Sequence, residues 1–166
     1  MAIVDELKNS ELFGGLEAAY LERLSLLCRG GSHRQGTVIF KEGDEAKELY
    51  VLTDGRVVLE IELRPVPDKP AIPTAIDVVT KGQCTGWSAL VEPHIYVASA
   101  RCMTNCTTLS INGEMLRKAM ADDHNLGYEV MKRLSKLIAT RLVDTRLRLT
   151  HGLGLVLLGK QLGAVE

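Results

Sequence analysis

The sequence predicts a mainly β protein with flanking helices, a small barrel or jelly roll set between helical ends. Three observations carry that prediction. Short runs of strand-forming residues, broken by turn residues, recur at even spacing between about residues 36 and 111. Helical spacing of apolar residues marks both ends of the chain. The bulk composition of the 166 residues, 46% hydrophobic and 25% charged, is that of one globular core and not of a disordered chain.

Residues 3 to 28 read as two short helices, with Leu16, Tyr20, Leu24 and Leu27 at helical spacing. Asn9 and Ser10 suit the cap of the second segment, Gly14-Gly15 bend or divide it, and Gly30-Gly31 are expected to end it. In GTVIFKEGDEAKELYVLTDGRVVLEIEL, residues 36 to 63, turns fall at Glu42-Gly43-Asp44 and Asp54-Gly55. Asp-Gly between Tyr50-Val51-Leu52 and Val57-Val58-Leu59 predicts a hairpin. RPVPDKPAIPT holds four of the five prolines and reads as a stiff, extended connection that no central strand could accommodate. Strands resume at Ala75–Val79, Tyr96–Cys102 and Thr107–Ile111.

Asn112 followed by Glu114 starts a helix ending near Ala121. Asp122 or Asp123 caps a longer one, expected to reach about His151 before Gly152. Along it Val130, Met131, Leu134, Ile138 and Leu142 form an apolar stripe, continued by Leu149. Such a stripe predicts a homodimer through this helix. The expected organisation is one domain, residues 1–150, with N-terminal helices at 3–28, a jelly roll at 31–111 and helices at 112–151. A short apolar tail, 152–166, follows.

Several function classes are disfavoured. A net charge of −1 gives no general attraction for polyanions. Cys28, Cys84, Cys102 and Cys106 show no paired spacing and read as buried free thiols, while His33, His94, His124 and His151 lie far apart. No metal site and no required cofactor follow from either set. The charged N-terminus is unlike a signal peptide, and Leu153–Leu158 is too short to span a bilayer, so a cytoplasmic setting without a membrane is expected. No nucleophile–base pair or phosphate-binding Walker loop points to an enzyme.

The stretch GQCTGWSALVEPHIYVASA, residues 82–100, is the informative one. A glycine leading into a helical turn aims backbone N–H groups at one spot, which attracts anions. Yet no Lys or Arg lies between Gly82 and Ala100, and Glu92 is the sole acid.

The order of helices, Gly-turn jelly roll and long helix resembles the cyclic-nucleotide-binding domain of the catabolite activator and kinase regulatory subunit superfamily. GTVIFKEGDEAKELYVLTDGRVVLEI is similar to that family's strand, Gly-Asp turn, strand, Asp-Gly turn, strand signature, and residues 82–100 lie where it carries its phosphate-binding cassette. The resemblance runs from about Leu12 to Leu149. It implies a double-stranded β-helix (jelly roll) with N-terminal helices and a long C-terminal helix. It also implies a Glu after Gly86 for the ribose hydroxyl, where Trp87 stands, and an Arg for the cyclic phosphate, where Tyr96 stands. Val97 replaces the hydroxyl residue that often follows. Arg101 is no substitute, because strand alternation puts it opposite Tyr96 and Ala98.

Charged hydrogen bonds contribute roughly 1.5–3 kcal/mol each, so the loss of two partners weakens nucleotide binding by about two to four powers of ten. What remains for a ligand is Gly86, Trp87, Ser88, Ala89, Leu90 and Tyr96, with Val97 and Ser99 behind them. Trp87 is expected to plug the vacated pocket, with a stacking platform as the alternative. Tyr96 is equally suited to bond a ligand oxygen or a carbonyl of the barrel. The leading expectation is a stand-alone sensor or regulatory module. In it a small-molecule effector, a cyclic nucleotide or another, shifts the Gly86 turn and with it the C-terminal helix, changing a dimer or regulatory protein surface. The alternatives are a degenerate scaffold for dimerisation or docking, and a weak cyclic-nucleotide binder. Direct DNA binding is not expected, since only LGLVLLGKQLGAVE follows Gly152.

Overall fold

The computed structural model describes residues 2–64 and 70–162, with side chains up to Thr150 apart from Leu149. Two short helices, α1 (Ile3–Lys8) and α2 (Ala18–Ser25), precede eight strands. These are β1 (Cys28–His33), β2 (Val38–Phe40), β3 (Glu48–Asp54), β4 (Arg56–Leu63), β5 (Ile72–Thr80), β6 (Cys84–Thr85), β7 (Ser99–Cys102) and β8 (Cys106–Asn112). Helices α3 (Gly113–Asp122) and α4 (His124–Leu162) follow. The strands form two antiparallel four-stranded sheets, ordered β1-β8-β3-β6 and β2-β7-β4-β5. This is the jelly roll that the sequence predicts, mainly β with helices at both ends. Inward-facing Leu52, Val57, Leu59, Val79, Ala98, Ala100, Cys102 and Cys106 meet in its core, and the four cysteines are free thiols.

Three expectations are corrected. The Asp54-Gly55 turn does not close a hairpin, because β3 and β4 belong to different sheets. Gly55 instead carries the chain across the sandwich edge in the left-handed region, φ 89°. A Cβ there would sit 2.4 Å from the Asn105 carbonyl oxygen and 2.8 Å from Cys106 Sγ, so close packing against the β7–β8 turn demands glycine. The hairpin partner of β4 is β5, an edge strand that tolerates Pro73 opposite Glu62. Of the proline-rich stretch RPVPDKPAIPT, residues 65–69 lie outside the described residues, while Ile72, Pro73 and Thr74 belong to β5. Gly30 and Gly31 do not end a helix but lie within β1, paired with Leu109 and Thr108. Gly152 does not end α4, whose backbone stays helical to Leu162; the side chains of the tail, and residues 163–166, lie outside the description.

The chain divides into two compact units, one up to Arg133 and one from Leu134 onward. Within the first, the N-terminal segment is tied to the start of α4. Arg133 donates from Nε to the Gly14 carbonyl at 3.1 Å, from Nη2 to the Gly15 carbonyl at 2.8 Å, and from Nη1 to the Glu129 carboxylate. Asp123 caps α4 by accepting from the Leu126 N–H at 3.1 Å and pairs with Arg23 at 2.6 Å. The cap N–H first, then Arg23, hold the Asp123 carboxyl below the usual carboxylate range. The second unit is the remainder of α4. Among the described residues no helix is long and apolar enough to cross a membrane, and no group of three or more His, Cys, Asp or Glu is placed to hold a metal ion.

The apolar stripe of α4 is really two faces. Val130 and Leu134 are buried, whereas Met131, Ile138 and Leu142 are exposed, Leu142 at 68%. At 3.6 residues per turn, positions 130 and 134 lie on one side, while 131, 138 and 142 lie about a quarter-turn away. Val130 and Leu134 are therefore corrected as dimer-face residues.

Candidate ligand cassette

Strand β6 delivers the chain to Gly86, which turns it left-handed at φ 77° into a single 3₁₀ turn, Trp87–Leu90. Glycine is required twice over. A Cβ would meet the Glu48 carbonyl oxygen at 2.9 Å and the Tyr96 ring at 3.3 Å, and L side chains rarely adopt that φ. The turn is self-contained: the Ala89 N–H donates to the Gly86 carbonyl at 3.1 Å and the Val91 N–H to the Ser88 carbonyl at 3.2 Å. The Ala89 donor expected to face a ligand is thus used inside the turn.

On its other side the turn is clamped to α3. The Arg117 guanidinium donates to the Ala89 carbonyl. A Cβ on Gly113 would lie 2.6 Å from that carbonyl oxygen. Gly113 in turn donates its N–H to the Lys47 carbonyl at 2.8 Å, and the Asn112 side chain caps α3 by accepting from the Met115 N–H at 3.0 Å. Ala89 is fully buried and Leu90 nearly so. Neither side chain lines the space beside the turn.

That space is a cavity of about 40 Å³ lined by Phe40, Leu59, Thr85, Gly86, Trp87, Ser88, Tyr96, Val97 and Ala98. No lining residue carries a charge. Of the residues the sequence singles out, Gly86, Trp87, Ser88, Tyr96 and Val97 are brought together here. Ala89, Leu90 and Ser99 are not, and Ser99 Oγ instead accepts from the Glu42 N–H at 2.9 Å. Phe40, Leu59, Thr85 and Ala98 are additional lining residues. Inward alternation with Tyr96 could have indicated Ala98; Phe40 comes from a distant strand and carries no local signal.

The plug is Tyr96, not Trp87. Trp87 is only half-buried at the mouth, whereas Tyr96 is 5% exposed and stacks on Phe40 with centroids 4.0 Å apart and planes at 16°. Tyr50 also stacks on Phe40, with centroids 5.7 Å apart. The Tyr96 hydroxyl donates to the Glu48 carbonyl at 2.8 Å and accepts from the Glu48 N–H at 3.2 Å. Burial pushes the Tyr96 phenol above its usual range, and pushes Tyr50 further, with Tyr96 and Glu48 adding to the latter. Arg101 faces away from the core and pairs with Glu60 at 3.0 Å.

Residues 32–123, more than half of the chain, match the sequence profile of the cyclic nucleotide-binding domain. The chain belongs to the cyclic nucleotide-binding domain family. Among solved structures, a protein from Geobacter metallireducens described as cyclic nucleotide-binding is 27% identical at a TM-score of 0.74, over 86% of this chain and 99% of that one. A cyclic nucleotide-binding domain from Methylobacillus flagellatus is 19% identical at a TM-score of 0.75, over 91% and 82%. The catabolite activator protein of Thermus thermophilus is 24% identical at 0.68, over 85% of this chain and 62% of its own length, so the chain spans less than two thirds of that protein. The latter two share the fold. No curated protein matches the chain by sequence. The Gly86 turn lies within the matched residues, and Trp87, Tyr96 and Val97 give the cavity beside it a neutral lining.

Proposed function

We propose that this domain is a non-catalytic regulatory module whose cassette is occupied by its own Tyr96 and takes neither cyclic AMP nor cyclic GMP. The observation that carries this reading is the Tyr96 ring stacked on Phe40 at 4.0 Å, which leaves about 40 Å³ where ligand pockets ordinarily offer roughly 300 Å³ or more. A nucleotide would have to expel a ring held by two hydrogen bonds and would find no cation for its phosphate. The desolvation cost of such a phosphate is uncompensated.

The clamp between the Gly86 turn and α3 supports a second reading, in which the same cassette is a sensor. The Arg117–Ala89 contact and the close approach of Gly113 mean that a displaced turn would press directly on α3. A ligand that preferred one position of the turn would then shift the population of α3 positions. In the first reading this linkage is fixed, and the domain acts as a scaffold for a partner or a second copy.

Thermal unfolding with ~100 μM cyclic AMP or cyclic GMP tests the proposal. The melting temperature should not move. A ligand at a hundred times its dissociation constant adds about 2.7 kcal/mol, and a rise of that order overturns the reading.

A further inference from the structure

The Tyr96 side chain sits in its slot as a ligand would. Its ring lies on Phe40 at 4.0 Å and 16°, and its single hydroxyl satisfies both the N–H and the C=O of Glu48. Without Tyr96 the slot offers an aromatic face at one end and an adjacent backbone donor and acceptor at the other. The walls, Leu59, Ala98 and Thr85 among them, are neutral. Ile95 and Val97 beside Tyr96 are exposed, Val97 at 73%. Tyr96 itself precedes β7 and is tied to the Gly43–Asp44 turn, its N–H donating to Asp44 at 2.9 Å and its carbonyl accepting from Gly43 at 2.8 Å. The backbone is anchored at that turn, while the ring lines the small cavity of about 40 Å³ beside the half-buried Trp87 and the exposed Val97, so vacating the slot calls for a side-chain rotamer change and no movement of the chain.

We propose that the cassette is a gated site for a small, neutral, planar aromatic molecule bearing a hydroxyl, with the Tyr96 ring as the gate in its closed position. This rests on the reading of the cassette as a site that rejects cyclic nucleotides, and it names what the site accepts instead. The ring of the ligand takes the Phe40 face, and its hydroxyl donates to the Glu48 carbonyl and accepts from the Glu48 N–H. Anionic ligands are excluded by the absence of a cation in the lining, and by the same burial that raises the Tyr96 phenol. Apolar aromatics without a hydroxyl stack but leave two backbone groups unpaired, so they bind less well.

The sole tryptophan, Trp87, lines the same cavity and reports occupancy by its fluorescence. The experiment titrates 4-methylphenol, toluene and cyclic AMP into the wild type and Tyr96→Ala, with unfolding temperature as a second readout. The wild type should give a saturable change with 4-methylphenol in the millimolar range. Tyr96→Ala should give it at a concentration at least tenfold lower, and toluene should bind at least fivefold more weakly than 4-methylphenol. If Tyr96→Ala is unfolded alone, refolding by 4-methylphenol supports the gate. Tyr96→Phe, which keeps the stack but frees Glu48, should improve on the wild-type affinity severalfold. A folded Tyr96→Ala that ignores 4-methylphenol, equal affinity for toluene, or no gain in Tyr96→Phe overturns the proposal. Saturable binding of cyclic AMP to the wild type overturns the reading beneath it, whatever the phenol does.

Discussion

Tyr96 and Glu48 hold each other twice: the phenol donates to the Glu48 carbonyl at 2.8 Å and accepts from the Glu48 N–H at 3.2 Å. The residue before Glu48, Lys47, accepts the N–H of Gly113 at 2.8 Å, and from there α3 reaches back through Arg117 to the Ala89 carbonyl. Tyr96, the start of β3, the start of α3 and the Gly86 turn are thus one closed circuit of short contacts. On the proposed reading, Tyr96 stands where a ligand would and belongs to the frame that the ligand would otherwise move.

Tyr96→Phe keeps the stack on Phe40 and strands two backbone groups at Glu48. Urea unfolding should show a loss of about 1–2 kcal/mol, water offsetting part of the cost. A neutral substitution would mean that the hydroxyl contacts do not hold the ring.

Gly55→Ala should cost more, about 2–3 kcal/mol, because the new Cβ meets the Asn105 carbonyl oxygen at 2.4 Å in addition to its left-handed strain. The same urea measurement checks it. A cost below about 1 kcal/mol would show that the β7–β8 turn gives way.

Stability should fall in alkali before the molecule loses its fold. Burial pushes the Cys28 thiol up to about 11 and Cys102 to about 12, with Cys106 adding to the latter, from an ordinary 9.0. Tyr50 and Tyr96 are raised from 10.0 by burial. Each group holds its proton longer when folded, so its contribution is whole below the unfolded value and is lost as pH rises toward the folded one. The melting temperature should decline from about pH 9 and steepen past about pH 10, and Tyr96→Phe should soften the second phase. A flat profile to pH 11 contradicts the assignment.

The exposed face of α4 predicts self-association. Tyr128, Met131, Ile138 and Leu142 are exposed at spacings of three, seven and four, the pattern of a helix seam. Sedimentation equilibrium at ~100 μM should give a dimer, and Ile138→Asp or Leu142→Asp should give a folded monomer. A monomeric wild type at that concentration, where even a micromolar dimer is assembled, removes the idea. Leu134→Asp is no test, because Leu134 is buried.

What the sequence revealed was set by how local each signal is. The Asn112 cap of α3, the Gly86 turn and the inward alternation of Ala98, Ala100 and Cys102 are all written in neighbouring residues. The Asp54-Gly55 turn misled because a two-residue turn between strand-like runs looks the same whether the runs pair or part into separate sheets. The gate was half legible. The loss of charge at Trp87 and Tyr96 was visible, but the stack needs Phe40 from β2 and the hydroxyl needs Glu48 from β3, and no spacing rule joins them to Tyr96. Trp87 drew attention as the larger ring, yet its place on the turn leaves it half outside.

The most direct test of the central claim is titration calorimetry of the wild type beside the double variant Trp87→Glu/Tyr96→Arg, each with cyclic AMP and cyclic GMP. The double variant removes the gate and introduces the two charges, while Gly86 and the Arg117 clamp to the Ala89 carbonyl carry no substitution. The account predicts no heat of binding for the wild type at ~1 mM nucleotide and saturable binding for the folded double variant. Binding by the wild type, or silence from a folded double variant, contradicts it.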